Sequence, residues 1–191
     1  MFTSSANTKP FLPATDKQQL VVGSAPSGIG VVSQQVFGLV RKLVITLTNV
    51  VITTVDAGAA GAQGGIKIFD FQEGFIQFLS AFFNLTTLAG AGGIADTGAL
   101  VGSLGTVVAA TDNATLTTTE ANIIPSAAGT LAGGAGTLKQ FSAAPGAPID
   151  GTTTPVDAFL NVAVPDAGSS ADDTVTVNGT ITIYYISMGD Y

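Results

Sequence analysis

The sequence predicts an all-β protein: an antiparallel β-sandwich or jelly roll carrying an extended N-terminal arm. Three observations predict it. Segments rich in Val, Ile, Thr and Phe alternate apolar with polar residues. Pro- and Gly-rich stretches separate them at short intervals. The last such segment, TVTVNGTITIYYI (174–186), holds one phase across an Asn-Gly pair.

Residues 1–35, with FLPATDKQQLVVGSAPSGIG at their centre, are rich in Pro, Ser, Thr and Gln and show little periodicity. They read as an arm (1–35) ahead of a sandwich domain (36–191). A disordered tail and an arm that orders on a neighbouring subunit are both compatible with that composition. LVITLTNVVITTV (43–55) places Leu43, Ile45 and Leu47 on one strand face, after which Val50 and Ile52 fall on the other. A bulge at Asn49, or burial on both faces, accounts for the change. DAGAAGAQGG (56–65) reads as a loop and IKIFDF (66–71) as the next strand.

EGFIQFLSAFFNLTT (73–87) carries conflicting signals. Its polar residues Glu73, Gln77, Ser80, Asn84 and Thr87 are spaced by 4, 3, 4 and 3, the helical interval. Its phenylalanines, its Glu-Gly start and its β-rich surroundings favour a strand, which is the reading adopted. ALVGSLGTVVAAT (99–111) reads as a strand. In TTTEANIIPS (117–126), Thr117 and Glu120 have capping-box spacing, and Pro125 limits any helix to one turn. TLKQFSA (137–143) and VDAFLNVAV (156–164) supply further strands.

The final segment would become a hairpin if Asn178-Gly179 formed a two-residue turn. That turn pairs Val177 with Thr180 and Thr176 with Ile181, mixing apolar and hydroxyl side chains on one face along both arms. A three-residue loop would keep parity, so a hairpin stays open as an alternative. The reading adopted is one long strand with Gly179 as a bulge or close-approach point.

Composition constrains function. Charged residues make up 10% of the chain, against about 25% in ordinary soluble domains. With 6 basic and 13 acidic side chains, the exterior must be mostly Thr, Ser, Asn, Gly and Ala. Such a surface suits a protein largely covered by other protein, so obligate assembly is the first inference. A net charge of −7 argues against nucleic acid as a partner. The absence of Cys and His removes disulfides, thiol chemistry, the usual triads and zinc sites. No basic start followed by an apolar run appears, so no signal peptide is read.

The remaining motifs are weak. Gly23 and Gly28 have phosphate-loop spacing, but Ile29 and Gly30 stand where Lys and Ser/Thr are needed, and Ser33 breaks the dinucleotide fingerprint. Residues 74–95 carry no charge, yet Gln77, Ser80 and Asn84 interrupt them and no Lys or Arg flanks them, so no membrane span is expected. Asp166, Asp172 and Asp173 could gather around calcium, although such clusters are ordinary turn formers. Asp70 with Glu73 could form an acid–base pair, but no other residue suggests a substrate site. Asn84, Asn113 and Asn178 open glycosylation triplets that a Thr-rich chain produces by chance. No catalytic, cofactor-binding or metal residues are assigned.

IKIFDFQEGFIQFL (66–79), GTVVAATDNATLTTTEANIIPSAAGTL (105–131) and DDTVTVNGTITIYYISMGDY (172–191) together resemble the head decoration, or cement, proteins of tailed bacteriophages. The resemblance covers roughly residues 40–191 and rests on pattern, without a catalytic signature. It implies a non-enzymatic β-sandwich subunit, usually a homotrimer, bound to the major capsid protein on the outer capsid surface and bridging capsomers. It also implies a location in the virion, with host cytoplasm during assembly, and no cofactor. Under this reading the arm from Phe2 to about Gln35 supplies much of the docking contact. The alternative is a glycan-binding or host-attachment sandwich displayed on a particle, for which Tyr184, Tyr185 and Tyr191 are the candidate aromatics besides Phe. A hydrolase using carboxylates alone ranks last.

Overall fold

The computed structural model describes residues 29, 32–37, 39–95, 98–110, 115–132, 135–142 and 147–188. Most of the expected arm lies outside them. The strands are β1 (Val32–Phe37), β2 (Val40–Asp56), β3 (Ala62–Asp70), β4 (Gly74–Gly90), β5 (Ala99–Gly105), β6 (Ile124–Thr130), β7 (Gly136–Ser142), β8 (Ile149–Gly151), β9 (Asp157–Val164) and β10 (Asp173–Ser187). Every pairing among them is antiparallel. The described residues contain no α-helix, only single 3₁₀ turns. The fold is all-β and sandwich-like, as the alternation required.

Hydrogen bonding follows one path, β6-β5-β9-β3-β2-β10-β4-β7, with β1 beside β2 and β8 beside β4. The path folds into two layers. Sheet I holds β1, β2, β10, β4, β7 and β8, and sheet II holds β6, β5, β9 and β3. β2 joins them, because Val55 and Asp56 leave sheet I to pair with Gln63 and Ala62 of β3. At the opposite corner β6 and β7 come back together. A Cβ at Gly136 would lie 2.1 Å from the Thr130 carbonyl oxygen, so only glycine permits this approach.

Between the layers lies one apolar core. Sheet I contributes Leu43, Ile45, Ile52, Phe83, Leu85, Ile181 and Ile183, and sheet II contributes Ile68, Leu100, Leu104, Leu160 and Val162. Each such side chain stabilises the fold by about 1.5–3 kcal/mol on burial. At one end, Phe71 meets Phe69, Phe78 and Tyr185 edge-on, at centroid distances of 4.9, 5.4 and 5.0 Å. This orientation suits the ring quadrupoles.

β10 runs unbroken through Asn178-Gly179, as the parity argument predicted. The irregularity lies in its neighbours. Val177 and Gly179 of β10 face Val50 and Leu47 of β2, so β2 carries an extra residue at Thr48–Asn49. Thr176 and Asn178 face Ala89 and Thr86, so β4 carries another. The two bulges therefore flank Asn178. Asn49 takes the left-handed conformation (φ 51°), and its N–H donates to Asn178 Oδ1 at 2.7 Å. Gly179 (φ 136°) is the close-approach point: a Cβ there would lie 2.3 Å from the Asn84 carbonyl oxygen.

Bulges also explain the helical spacing in β4, which is a strand throughout. Its buried positions 74, 76, 78, 81, 83, 85 and 88 advance by two except at two irregularities. A three-residue step at a bulge and a double alternation give the intervals 3 and 4 that imitate a helix. The same effect carries the buried face of β2 from Leu47 to Val50. Two expectations need correction. β3 begins at Ala62, inside the expected loop, because Gln63–Gly65 pair with Asn161–Ala163. The strand expected over 99–111 ends at Gly105. A further strand, β6, which the sequence reading did not assign, follows the 3₁₀ turn at Thr118–Glu120. Pro125 is the second residue of that short, path-terminal strand, where a missing donor is tolerated.

Candidate interaction face

The outward side chains of the two sheets meet different surroundings. On sheet II, the chain after β5 folds back over the outer surface and is fixed by Asn161, which is wholly buried. Asn161 Oδ1 accepts the Ala109 N–H at 2.9 Å, and its Nδ2 donates to the carbonyls of Val107 (3.0 Å) and Glu120 (2.8 Å). Ser103 Oγ donates to the same Glu120 carbonyl at 2.6 Å. Glu120 closes the capping box with Thr117 and also accepts the Ala110 N–H at 2.7 Å. Ala109 and Leu116 then pack on Ala163 and Val101 as a second apolar cluster. Beside them Gln63 is buried with no partner for either amide atom.

Sheet I is lined differently. Register aligns Lys139, Asn84, Thr180 and Thr46 in one row across β7, β4, β10 and β2, and Phe141, Phe82, Thr182 and Val44 in the next. Thr137, Thr86 and Asn178 form another row, and Thr53 faces Thr174. Two exposed phenylalanines interrupt this threonine surface, beside the row that holds Tyr184. Phe82 and Phe141 are direct cross-strand partners, 37% and 59% exposed. With Phe83, Asn84, Lys139 and Gln140 they line a shallow recess of about 430 Å³.

Charge is distributed unevenly. From Lys42 to Thr53 on β2, and over the facing parts of β10, β4 and β7, the outward side chains of the described residues include Lys42 and Lys139 and no carboxylate. Asp150 of β8 lies at the far end, opposite Phe75, and accepts the N–H and O–H of Thr152. Among the described residues the ion pairs all involve Lys67 of β3, at 3.4 Å from Asp70 and 2.7 Å from Asp157. The hydrogen bond to Asp157, aided by both carboxylates' charge, raises the Lys67 pKa above its ordinary value.

The residues singled out in the sequence do not assemble into one site. Asp172 Oδ1 accepts the Asp56 N–H at 2.7 Å, Asp173 Oδ2 accepts the Gly93 N–H at 2.9 Å, and Asp166 begins a 3₁₀ turn. They work as turn formers, and no group of three metal-ligating acids gathers among the described residues. Asp70 is tied to Lys67, while Glu73 is exposed. Tyr185 is buried, which removes it as a surface aromatic; Tyr184 lies on the outer face of sheet I, opposite Lys42 and Ser80. Gly23, Gly28, Asn113 and Tyr191 lie outside the described residues.

Sequence reasoning missed Phe82 and Phe141. Parity in TLKQFSA offered a signal, since an inward Leu138 puts Lys139 and Phe141 outward together. For Phe82 the bulge in β4 hid the phase. No helix among the described residues is long and apolar enough to cross a membrane. No protein family, curated protein or solved structure matches this chain.

Proposed function

We propose that this protein is a non-enzymatic structural component of a tailed-phage head, a decoration protein that assembles as a homotrimer on the capsid exterior and bridges capsomers. The observation that carries the reading is the broad outer face of sheet I: threonine-lined, poor in charge and interrupted by two exposed phenylalanines. Four strands about 4.8 Å apart and some ten residues at about 3.3 Å give roughly 600 Å², close to the ~800 Å² each partner contributes to a standard interface. Threonine loses little rotamer freedom on packing, and few charges need desolvation there. The resemblance in the strand-forming segments points the same way.

Light scattering of the purified protein, alone and with empty shells of the major capsid protein encoded alongside it, tests this. The expected result is a trimer in solution that adds to shells. A dispersed single subunit with no affinity for shells contradicts the reading.

A second reading, a saccharide-binding module, is supported by the recess at Phe82 and Phe141. Their rings could stack on a sugar face, with Asn84, Gln140 and Lys139 at the rim for hydroxyls. A glycan-array signal without shell binding would favour it.

A further inference from the structure

The decoration reading leaves open which surface docks and what it meets. Resting on that reading, we infer that the outer face of sheet I is the docking face, with Phe82 and Phe141 as its anchors. Its partner is a different protein whose contact surface presents carboxylates toward Lys139 and Lys42.

Exposure of the anchors is the first argument. Phe141 is 59% and Phe82 37% exposed, and cross-strand pairing joins them into one patch, flanked by Lys139, Asn84, Thr180 and Thr46 on one side and by Ser80, Tyr184 and Lys42 on the other. Aromatic side chains grouped at the centre of a polar rim are the usual carriers of interface energy. Here the pair sits toward the β7 edge of the face, with polar residues bordering it on the side of β10 and β2.

Charge selects the partner. A chain of net charge −7 keeps the carboxylates of its described residues off this part of its surface and places two lysines there, neither in an ion pair with a described residue. An acidic or neutral surface is therefore accepted and a basic one opposed.

A second copy fits poorly. Contact of the face with itself would bring lysine-bearing surfaces together. Contact with another side of a second copy would draw on carboxylates most of which, among those described, already have partners within the chain. Asp70 and Asp157 hold Lys67. Asp56, Glu120, Asp150, Asp172 and Asp173 accept hydrogen bonds within the chain. That leaves Glu73 and Asp166 uncommitted among the described acids, so other contacts to Lys42 and Lys139 from a described carboxylate would share one already in use.

The test measures co-sedimentation with empty shells of the accompanying major capsid protein for wild type, Phe82→Ser/Phe141→Ser and Lys139→Glu. Circular dichroism and denaturation midpoints confirm folding, and light scattering gives subunit number. The double serine variant should stay folded, keep its subunit number and bind about 30-fold more weakly or worse. Lys139→Glu should lose about 5-fold or more at low salt and less at high salt. If wild type binds and both variants bind equally well, this face is not the docking face, although the decoration reading stands. A changed subunit number with unchanged shell binding assigns the face to self-contact and overturns the inference. If wild type does not bind shells, the decoration reading fails and takes this inference with it.

Discussion

The two outer faces of the sandwich solve the same problem in opposite ways. Sheet II covers its outward residues with its own chain, and a single buried Asn161 fastens that cover through three hydrogen bonds. Sheet I leaves much of its outward surface open around a buried Thr182, with two phenylalanines exposed. A face closed by internal hydrogen bonds contributes stability. A face left neutral and partly apolar is suited to association. The difference divides the molecule into a side that holds the fold together and a side that, on the proposed reading, meets other protein.

The largest expected effect lies on the closed side. Asn161→Ala strands the Ala109 N–H and removes both donors to the Val107 and Glu120 carbonyls, so unfolding free energy should fall by about 3–5 kcal/mol. Guanidinium denaturation measures this; a loss below about 1 kcal/mol would break the contrast. Next comes Asn178→Ala, which removes the side-chain acceptor of the Asn49 N–H between the two bulges. That group is exposed, so water replaces part of the bond and the expected loss is about 1 kcal/mol.

Lys67 sharpens the comparison further. Its ion pairs are partly exposed, so Lys67→Met should cost under about 1 kcal/mol. Because folding raises the Lys67 pKa, its contribution is complete below the ordinary lysine pKa and is lost as pH rises through the folded-state value. Wild type should lose its small advantage over the variant as pH rises above the ordinary lysine pKa of about 10.4. The smallest effect belongs to the open side. Thr180→Ala or Phe141→Ser should change stability by no more than about 0.5 kcal/mol. A larger loss for Phe141→Ser would show that the exposed ring serves the fold.

What was legible in the sequence follows the same division. The path of β10 could be read because Val175 to Tyr185 keep one parity and Gly179 fits a close approach. The bulge at Asn49 was readable from the phase change between Leu47 and Val50. Thr117 and Glu120 announced their capping box through local spacing alone. β6 was hidden because IPSAAGT has neither β-branched alternation nor a strong apolar face, and its pairing with β5 determines it. The patch at Phe82 and Phe141 was hidden for a similar reason. It exists only through the register of β4 against β7, residues some sixty positions apart in the chain.

The most direct measurement is hydroxyl-radical footprinting of the protein free and bound to shells, read at both faces. Binding should protect Phe82 and Phe141 of sheet I and leave Val107 and Val108, exposed on the cover of sheet II, as reactive as before. Protection of Val107 and Val108 with Phe82 and Phe141 unchanged would contradict the account.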